Sequence, residues 1–389
     1  MTTHHQHAGH APPTGEAVLA LDIGGTKLAA GVVRDDGAVL SFVTRPTGVA
    51  DGPQTCLRRL FDLGWESLRQ AGTPPEALLG TGIGCGGPLD SATGVLLCPP
   101  HLPGWVDIPL VALAREEYGR PAVLDNDGTA GAAGEWRFGH GRGVDHLLYL
   151  TVSTGVGGGV VLGGRTFRGA AGNGGEPGHV TVRSGGRHCR GCGRSGCLEA
   201  YASGTSIAER AAEAVAAAVS RGVPTTLADC APLTAAEVAA AAREGDAVAE
   251  AVWAETVDTL GSGLTSLVNL YEPDLVVLGG GVTRSGDQLL DPVRRIVAEQ
   301  AMGPAARAVR IVRASGGDRA GLLGAAAIAL ERLGRPTGVD AATAGGVRRP
   351  SGAGGPGGAT AATGRPADPA PNLVTNVTSH NSTDPTPDA

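Results

Sequence analysis

The sequence predicts an α/β protein with two similar lobes and a cleft between them. One order of elements, in which two strands flank a glycine-rich turn and helices follow, begins at residue 17 and again at residue 147. Glycine-rich turns follow three of the apolar strands, where the backbone can come close to another group. The 389 residues exceed the size of one ordinary core, which also favours more than one domain.

The first repeat opens with three short strands. A Gly-Gly pair at 24–25 turns the chain between the first two strands, and an Asp-Asp-Gly run at 35–37 turns it again before the third. Leucines then recur at helical spacing from 57 to 68. The predicted elements are strands at 17–23, 28–34 and 38–44, a helix at 53–71, a strand at 78–84, a helix at 109–118 and a strand at 122–124.

The second repeat follows the same order. A glycine turn at 154–158 joins two strands, and a segment rich in cysteine comes next. In the longest predicted helix, apolar residues from Val257 to Tyr271 recur at spacings of three and four. The predicted elements are strands at 147–153 and 159–162, helices at 204–221, 234–242 and 246–270, a strand at 274–278, and helices at 288–299 and 321–333.

The composition of the two chain ends predicts disordered tails. Residues 1–16 are polar, and residues 334–389 are rich in Gly, Ala, Thr, Pro and Ser with almost no large apolar side chain. Such segments bury too little apolar surface to become ordered. Between them we expect a small N-terminal lobe at 17–125, completed by a C-terminal helix at 319–333, and a large lobe at 126–318 that carries the cysteine segment.

Bulk properties exclude several kinds of partner. The net charge is −7 and the pI about 5.8, and no basic stripe occurs, so we expect no binding to nucleic acid. No apolar run is long enough to cross a membrane, and the N-terminus lacks the regions of a signal peptide. We therefore expect a cytoplasmic protein, whose seven cysteines are thiols or metal ligands rather than disulfides.

Four side chains within 19 residues form a candidate metal site, namely His179, Cys189, Cys192 and Cys197. Zinc prefers such tetrahedral nitrogen and sulfur ligation, and four protein ligands leave no open position for catalysis. The pattern therefore predicts a structural Zn²⁺. His188 is an alternative fourth ligand, although its place beside Cys189 makes the geometry poorer.

Three glycine turns predict a site for nucleotide phosphates. Their backbone N–H groups can converge on an anion, Lys27 adds a positive charge, and Asp22 can help to hold Mg²⁺. Simple chain reversal is the alternative for any one of these turns. The candidate phosphate-binding residues are Asp22, Gly24, Gly25, Thr26, Lys27, Thr154, Gly155, Gly279 and Gly280.

Two familiar nucleotide motifs do not apply. The chain contains no Gly-x4-Gly-Lys-Ser/Thr sequence, so it is not a P-loop protein. Residues 82–87 satisfy Gly-x-Gly-x-x-Gly after a strand, but Pro88 follows directly and no helix is predicted there. A dinucleotide site is therefore not expected.

A carboxylate that follows a strand is the candidate general base. Asp127 lies at the predicted crossing between the lobes, where it could accept a proton from a substrate hydroxyl. Asn126 offers both a donor and an acceptor to a sugar hydroxyl. On this motif alone an ordinary turn is the commoner explanation, because Asn and Asp bond locally to the backbone. Glu176, His179 and Glu199 also suit the recognition of hydroxyl groups.

Together these motifs resemble those of the ROK family, whose kinases are ATP-dependent sugar kinases with the two-lobed actin-like ATPase (ribonuclease H-like) fold. The resemblance covers about residues 17–333. Segments 21–27, 153–159 and 278–282 resemble the family's two phosphate motifs and its adenosine-side motif. Segments 126–127, 175–179 and 189–199 resemble its Asn-Asp pair, its Gly-Glu-x-Gly-His motif and its zinc signature.

The resemblance implies a hexokinase reaction. By it, Asp127 deprotonates the 6-hydroxyl of a sugar, most simply glucose, which then attacks the γ-phosphate of ATP. The implied cofactors are Mg²⁺ with ATP and a structural Zn²⁺, and the implied assembly is a homodimer or homotetramer. The implied sugar-binding residues are Gly87, Asn126, Asp127, Glu176, His179 and Glu199.

Three departures from the family pattern leave questions open. Two residues separate Cys189 from Cys192 where the family usually has one. Residues 84–88 read Gly-Cys-Gly-Gly-Pro where the family often has Gly-x-Pro-Gly-Pro, and His101 replaces an Asn. The last two departures lie near the sugar and leave its identity open.

Several alternatives remain at this point. N-acetylmannosamine or N-acetylglucosamine is the chief rival substrate, and polyphosphate could replace ATP as far as glycine turns alone can tell. A transcriptional regulator of the same family would carry an added N-terminal winged-helix domain, which the 16 residues before the first strand do not supply. A silent sugar sensor would have no need of Asp127 and Lys27.

Overall fold

The computed structural model describes residues 16–170 and 172–334. The tails that the sequence predicts at 1–16 and 334–389 lie almost entirely outside the described residues. The described chain is a mixed α/β structure with two five-stranded sheets.

The first half of the chain forms one sheet and the helices on its outer face. Its central strands are almost wholly apolar because helices cover both of their faces. The elements are β1 (Ala17–Ile23), β2 (Lys27–Arg34), β3 (Val43–Pro46), α1 (Pro53–Ala71), β4 (Leu78–Cys85), the short strands β5 (Leu89–Asp90) and β6 (Val95–Leu96), α2 (Leu110–Tyr118) and β7 (Ala122–Asn126).

The second half begins with a helix that leads into the second sheet. The helices α5 to α8 enclose a large apolar core on the outer face of that sheet. The elements are α3 (Asp127–Phe138), β8 (Leu147–Val152), β9 (Val156–Leu162), β10 (Arg165–Phe167), α4 (Glu199–Ala202), α5 (Gly204–Ser220), α6 (Ala235–Arg243), α7 (Ala247–Tyr271), β11 (Leu275–Gly279), α8 (Asp287–Gln300), α9 (Gly303–Ala308), β12 (Arg310–Arg313) and α10 (Ala320–Leu333).

The two sheets have the same topology. Their strand orders are β3-β2-β1-β4-β7 and β10-β9-β8-β11-β12. In each sheet the first three strands along the chain are antiparallel neighbours, and the last two extend the sheet in parallel. The duplicated α/β architecture that the sequence predicts is therefore present.

Helices α3 and α10 pack against each other and against both sheets. Residues of α10 share a core with β1 and β7, whereas α3 contributes Ala132 to the core beneath β8 and β11. Glycine allows the two helices to come close: a Cβ atom on Gly324 would lie 2.6 Å from the carbonyl oxygen of Ala130. These two helices connect the halves, and both begin near the candidate site.

The third strand differs from the prediction. The sequence predicts it at 38–44, but the ladder with β2 begins only at Val43, and an isolated bridge joins Val33 to Val39. The side chain of Ser41 accepts the N–H of Val32 at 3.0 Å and lies 2.6 Å from the hydroxyl of Ser67. The hydroxyl of Ser41 therefore takes the place of a backbone ladder bond, so the paired part of the third strand begins later in the sequence than predicted.

Helix α3 is absent from the sequence prediction, which places an ordinary turn at 125–128 as the alternative to a site. The side chain of Asn126 caps the helix by accepting the N–H of Gly128 at 2.8 Å. Glycines at 128, 131 and 134 weigh against a helix by propensity. Packing requires them, because a Cβ on Gly131 would lie 2.4 Å from the ring of Tyr149.

The short strands β10 and β12 are also absent from the prediction, because three or four residues are too few to show a period. Among the described residues, no helix combines the length and apolarity needed to cross a membrane.

Candidate active site

Three parallel strands end side by side and place polar residues at one edge of the first sheet. Asp22 of β1 pairs with Gly84 of β4, and Gly84 pairs in turn with Asp125 of β7. Asn126 ends β7 and Asp127 begins α3. The carboxylates of Asp22 and Asp127 therefore face the same edge from two directions.

The carboxylate of Asp127 lies in a confined but solvent-accessible place. Protein atoms crowd around it, yet solvent still reaches the side chain. Burial raises the pKa of Asp127, and the N–H of Gly128, which donates to Oδ1 at 2.9 Å, opposes that rise together with His101. A raised pKa makes this carboxylate a better proton acceptor near neutral pH than an ordinary aspartate.

Asp22 shares this environment. Burial raises the pKa of Asp22 to about 6, the negative charge of Asp127 adds to the rise, and Lys27 opposes it. The start of α10 lies close by, since a Cβ on Gly321 would be 2.2 Å from Oδ2 of Asp22. Two coupled carboxylates of this kind are suited to a divalent cation, which would neutralise both.

The first glycine turn joins β1 to β2. The N–H of Gly24 donates to the carbonyl of Lys27 at 3.0 Å, and the hydroxyl of Thr47 donates to the carbonyl of Gly24 at 2.6 Å. These two hydrogen bonds hold the backbone of the turn in place. The side chains of Thr26 and Lys27 are exposed and free to meet an anion.

The second glycine turn joins β8 to β9. The N–H of Ser153 donates to the carbonyl of Gly155 at 2.8 Å, which closes the turn, and Thr154 is exposed at its tip. The strand β9 begins at Val156, earlier than the predicted residue 159, so only residues 153–155 form the turn.

The third glycine turn follows β11. Gly280 has φ of 91°, a conformation that favours glycine, and it precedes the short helix Gly281–Ser285. A Cβ on Gly280 would lie 2.3 Å from the carbonyl oxygen of Val152, at the end of β8. The third turn therefore lies directly beside the second.

The start of α3 connects the turns of the two sheets. A Cβ on Gly128 would lie 2.1 Å from the carbonyl oxygen of Gly158, so β9 contacts the helix next to Asp127. Asp22, before the first turn, is electrostatically coupled to the same carboxylate. Asp22 beside the first turn and the strand after the second turn thus both lie near the N-terminus of α3, which is itself favourable for anions.

A second group of polar side chains lies on the other side of Asp127. Burial raises the pKa of Glu176, the charge of His179 opposes the rise, and Asp127 and Glu199 add to it. Gly87 lies beside Asn126, because a Cβ on Gly87 would be 3.5 Å from Nδ2 of Asn126. The predicted sugar-binding residues therefore come together around the same carboxylate.

Asn126 has a divided role. Its side-chain oxygen caps α3, whereas its Nδ2 group donates to no residue in the described ranges. The amide nitrogen is therefore available as a donor to a bound hydroxyl group.

The cysteine segment folds into a compact cluster beside this site. One ligand atom from each of His179, Cys189, Cys192 and Cys197 lies within 4.8 Å of the others. The Sγ atoms of Cys192 and Cys197 are 3.5 Å apart, and Sγ of Cys189 is 3.8 Å from Nδ1 of His179. Tetrahedral zinc, with Zn–S bonds of about 2.3 Å, separates its ligands by roughly these distances.

The cluster resolves two questions from the sequence. Cys189 belongs to it despite the extra residue before Cys192. His188 is exposed, and its backbone forms a bridge with Ser195 instead. The alternative in which His188 is the fourth ligand is not supported, because His179 occupies that place.

The sequence model of the ROK family matches residues 18–332.

This chain belongs to the ROK family.

The relatives of this ROK protein include sugar kinases and xylose repressors. It is 35% identical to the glucokinase of Thermotoga maritima over 82% of this chain and 98% of the relative. It is 34% identical to the N-acetylmannosamine kinase of Shigella flexneri over 80% of this chain and 98% of that protein. The glucokinase and hexokinase relatives identify the chain as a sugar kinase.

Two solved structures are similar to this ROK kinase. The ROK hexokinase of Thermus thermophilus aligns with a TM-score of 0.68 at 38% identity, over 82% of this chain and 99% of that one. The ROK family glucokinase of Streptomyces griseus, in complex with glucose and AMPPNP, aligns with a TM-score of 0.66 at 33% identity, over 81% and 99%. The actin-like ATPase fold expected from the sequence is thereby confirmed.

Glu199 connects the cysteine cluster of this ROK kinase to its second glycine turn. One carboxylate oxygen accepts the N–H of Val156 at 2.9 Å, and the other accepts the thiol of Cys189 at 3.3 Å. A Cβ on Gly155 would lie 2.7 Å from the same carboxylate. In this structure Glu199 therefore has protein partners for both oxygens as well as its place near Glu176.

His101 also lies in the site, although the sequence marks it only as a departure from the family. A Cβ on Gly86 would be 2.5 Å from Cε1 of its ring, and Gly25 contacts its backbone. Burial lowers the pKa of His101, and the charge of Asp127 opposes that shift. The imidazole therefore stands between the first glycine turn and the base.

Proposed function

We propose that this protein transfers the γ-phosphoryl group of MgATP to the 6-hydroxyl of a hexose, with glucose as the preferred substrate. The observation that carries the proposal is the place of Asp127, which is electrostatically coupled to Asp22 beside the first glycine turn and to Glu176 of the segment that ends at His179. A phosphoryl donor and a hydroxyl acceptor can both reach this carboxylate. Glucokinase relatives support the choice of sugar.

The acceptor side would hold the sugar by its hydroxyl groups. The Nδ2 group of Asn126 would donate, the carboxylate of Glu176 would accept, and His179 would donate from the nitrogen that faces away from the cluster. Asp127 would take the proton of the sugar's 6-hydroxyl. At the same time the hydroxyl oxygen would form a bond to the γ-phosphorus, and the bond from the γ-phosphorus to the β–γ bridging oxygen would break.

The donor side would hold ATP by backbone groups of the three turns. Lys27 would offset the charge of the phosphates, and Mg²⁺ near Asp22 would supply further neutralisation when it is bound. The N-terminus of α3 would favour the same negative charge.

The cluster of His179, Cys189, Cys192 and Cys197 would hold a structural zinc ion. The residues fit such an ion by their donor set and their spacing. The ion would orient the ring of His179 and, through the backbone at Cys197, keep Glu199 in place. It would take no part in phosphoryl transfer. We also propose a cytoplasmic homodimer or homotetramer, which light scattering would check.

N-acetylmannosamine or N-acetylglucosamine is the second candidate acceptor. The Shigella flexneri N-acetylmannosamine kinase is almost as similar in sequence as the glucokinases. In addition, His101 and Gly86 change the wall of the site where the family pattern differs. An N-acetyl group is larger than the hydroxyl group of glucose, so the shape of this wall would decide which of the two sugars fits.

A sugar panel tests the proposal. ADP release would be measured with ATP and Mg²⁺ and with glucose, mannose, fructose and the two N-acetylhexosamines, and phosphorus NMR would locate the phosphate on the product. We expect the highest kcat/KM with glucose and a 6-phosphate product. If only an N-acetylhexosamine among these sugars caused release of ADP, the second candidate would be the acceptor. No release with any sugar would overturn the kinase proposal, and a parallel run with polyphosphate would identify a different donor.

A further inference from the structure

An ion pair that the reaction does not use connects the two sides of the sugar site. Asp125 precedes Asn126 and is fully buried. Its Oδ2 atom accepts Nε of Arg168 at 2.8 Å, and its Oδ1 atom accepts the backbone N–H of Asn126 at 3.0 Å. The carboxylate thus holds the strand end that carries Asn126 and Asp127.

Arg168 belongs to the other side of the site. It follows β10 of the second sheet, and its carbonyl accepts the N–H of Gly174 at 2.8 Å. Gly174 leads directly into Glu176 and His179. The position of the Arg168 backbone therefore determines where the hydroxyl-binding segment begins.

A second carboxylate fixes the guanidinium group. Nη2 of Arg168 lies 3.2 Å from Glu331 of α10, and Glu331 also accepts the N–H and hydroxyl of Thr166, at 3.2 and 2.8 Å. Arg168 therefore binds two acids through two different nitrogens, an arrangement that a lysine cannot reproduce.

Stability alone is a weak reason for this arrangement. Burying an ion pair costs desolvation energy that the mutual attraction only partly offsets, so apolar replacements of such pairs are often neutral. Geometry gives a better reason. The pair spans the distance from Asn126 and Asp127 on β7 and α3 to Glu176 and His179 on the segment after β10, and phosphoryl transfer depends on that distance.

We propose that Arg168 is a positioning residue, which sets the spacing between the base Asp127 and the sugar-binding residues Glu176 and His179. The proposal rests on the proposed function for its effect on turnover, but its structural part does not. Arg168 contacts neither ATP nor the sugar in this account, and it acts through Asp125 and the backbone at Gly174.

Steady-state kinetics test the effect on turnover. Arg168→Met removes the pair, and we expect kcat/KM for the sugar to fall about 100-fold, as misplacement by about 1 Å can cause. KM for ATP should change less than about twofold, because no glycine turn depends on Arg168. Arg168→Lys should recover part of the loss through the single charge. Arg294→Met, which removes a surface pair with Asp291 and a hydrogen bond to the carbonyl of Ile311, both in α8 and β12, is the matched control and should keep wild-type kinetics.

Hydrogen exchange tests the positioning without any turnover. In Arg168→Met, the amides of residues 125–128 and 174–179 should exchange faster together, while those of α8 should not change. Asp125→Asn provides a second variant if Arg168→Met does not fold. Unchanged exchange in both segments, or a rise in KM for ATP as large as the loss of kcat/KM for the sugar, would overturn the proposal. If the wild type phosphorylates no sugar, the proposed function fails, and the exchange experiment still decides the positioning role.

Discussion

At the scale of single residues, the site depends on two acids with unusual proton affinity. Burial raises the pKa of both Asp22 and Asp127, and the charge of Asp127 adds to the rise for Asp22. An Asp that binds its proton tightly is a stronger base once ionised, and a cation placed between the two acids would restore their charged forms. The same features make the protein's stability depend on pH.

The sign of that dependence follows from the pKa of Asp22. It is about 6 in the folded protein against 3.8 for the unperturbed group, so the folded state holds the proton more tightly. The contribution of Asp22 to the free energy of unfolding therefore falls as pH rises from about 4 to about 6. Asp22→Asn removes this loss, and we expect the variant to gain stability relative to wild type between about pH 5 and about pH 7.5.

Urea denaturation without nucleotide or Mg²⁺, at both pH values, measures this difference. Asp36→Asn is the control with the opposite sign, since the N–H of Ala38 lowers the pKa of the exposed Asp36. That variant should lose stability relative to wild type above the pKa of Asp36. A stability difference between Asp22→Asn and wild type that does not vary with pH would contradict the account of Asp22.

The cysteine cluster gives a second prediction at this scale. Cys192→Ser removes one of four ligands, and we expect the bound zinc to fall from about one per chain to nearly none. Glucose binding should weaken at the same time, because His179 loses its fixed orientation. Elemental analysis by mass spectrometry and calorimetry measure the two effects.

Cys230→Ser is the matched control, because Cys230 lies apart from the cluster and its thiol donates to the carbonyl of Thr226. It should keep both zinc and sugar binding. Loss of zinc from Cys192→Ser with unchanged glucose affinity would separate the metal from the sugar site and refute the coupling.

Sequence reasoning reached most of these residues because their chemistry is local. The four candidate metal ligands lie within one short segment, and Asp22 stands beside its glycine turn. The pairing of Asp125 with Arg168 could not be predicted in this way, since 43 residues separate the partners. Only the fold brings β7 and the end of β10 together.

At the scale of elements, the period of apolar residues decides what can be predicted. The helix predicted at 53–71 has those bounds in the structure, because its leucines face one core. Helix α3 shows no such stripe, since glycine and alanine fill the face that packs against its neighbours. Its helical state follows from tertiary packing, which a single sequence does not display.

The contact between α3 and α10 provides a test. A Cβ on Gly324 would lie 2.6 Å from the carbonyl oxygen of Ala130 and 3.1 Å from its Cβ, and both are held within helices. We expect Gly324→Ala to force the helices apart and to lower the free energy of unfolding by about 1–3 kcal/mol, despite the better helix propensity of alanine. Denaturant titration measures this change.

Gly303→Ala is the control for this substitution. Gly303 begins α9, and its added Cβ would meet only the flexible end of Arg307, at 3.2 Å. We expect no destabilisation there. If Gly324→Ala were as stable as wild type, the close packing of the two connecting helices would be less strict than the structure indicates.

At the scale of the whole molecule, two sheets of identical topology contribute different parts of one site. The first sheet supplies Asp22, the first glycine turn, and the strand that ends at Asn126. The second supplies the other two turns and the segment with Glu176 and His179. The helices α3 and α10 connect the sheets and both begin at the site, with Asp127 as the first residue of α3.

The duplication was accessible from sequence, because both halves open with a strand, a glycine turn and a strand. The identity of the sugar was not, because His101 and Gly86, which lie together near Asp127, depart from the family pattern. Their effect depends on the shape of the site, which lies beyond any motif.

The central claim is that Asp127 is the base that receives the hydroxyl proton, and Asp127→Asn tests it most directly. Asparagine keeps the shape of the side chain and its place at the start of α3 but cannot accept the proton. We expect kcat with glucose to fall by about 10²–10⁴-fold, with circular dichroism, zinc content and ATP affinity close to wild type. Asp62→Asn, on the exposed face of α1, should keep full activity. A folded Asp127→Asn variant that retains more than about a tenth of the wild-type kcat would contradict the account.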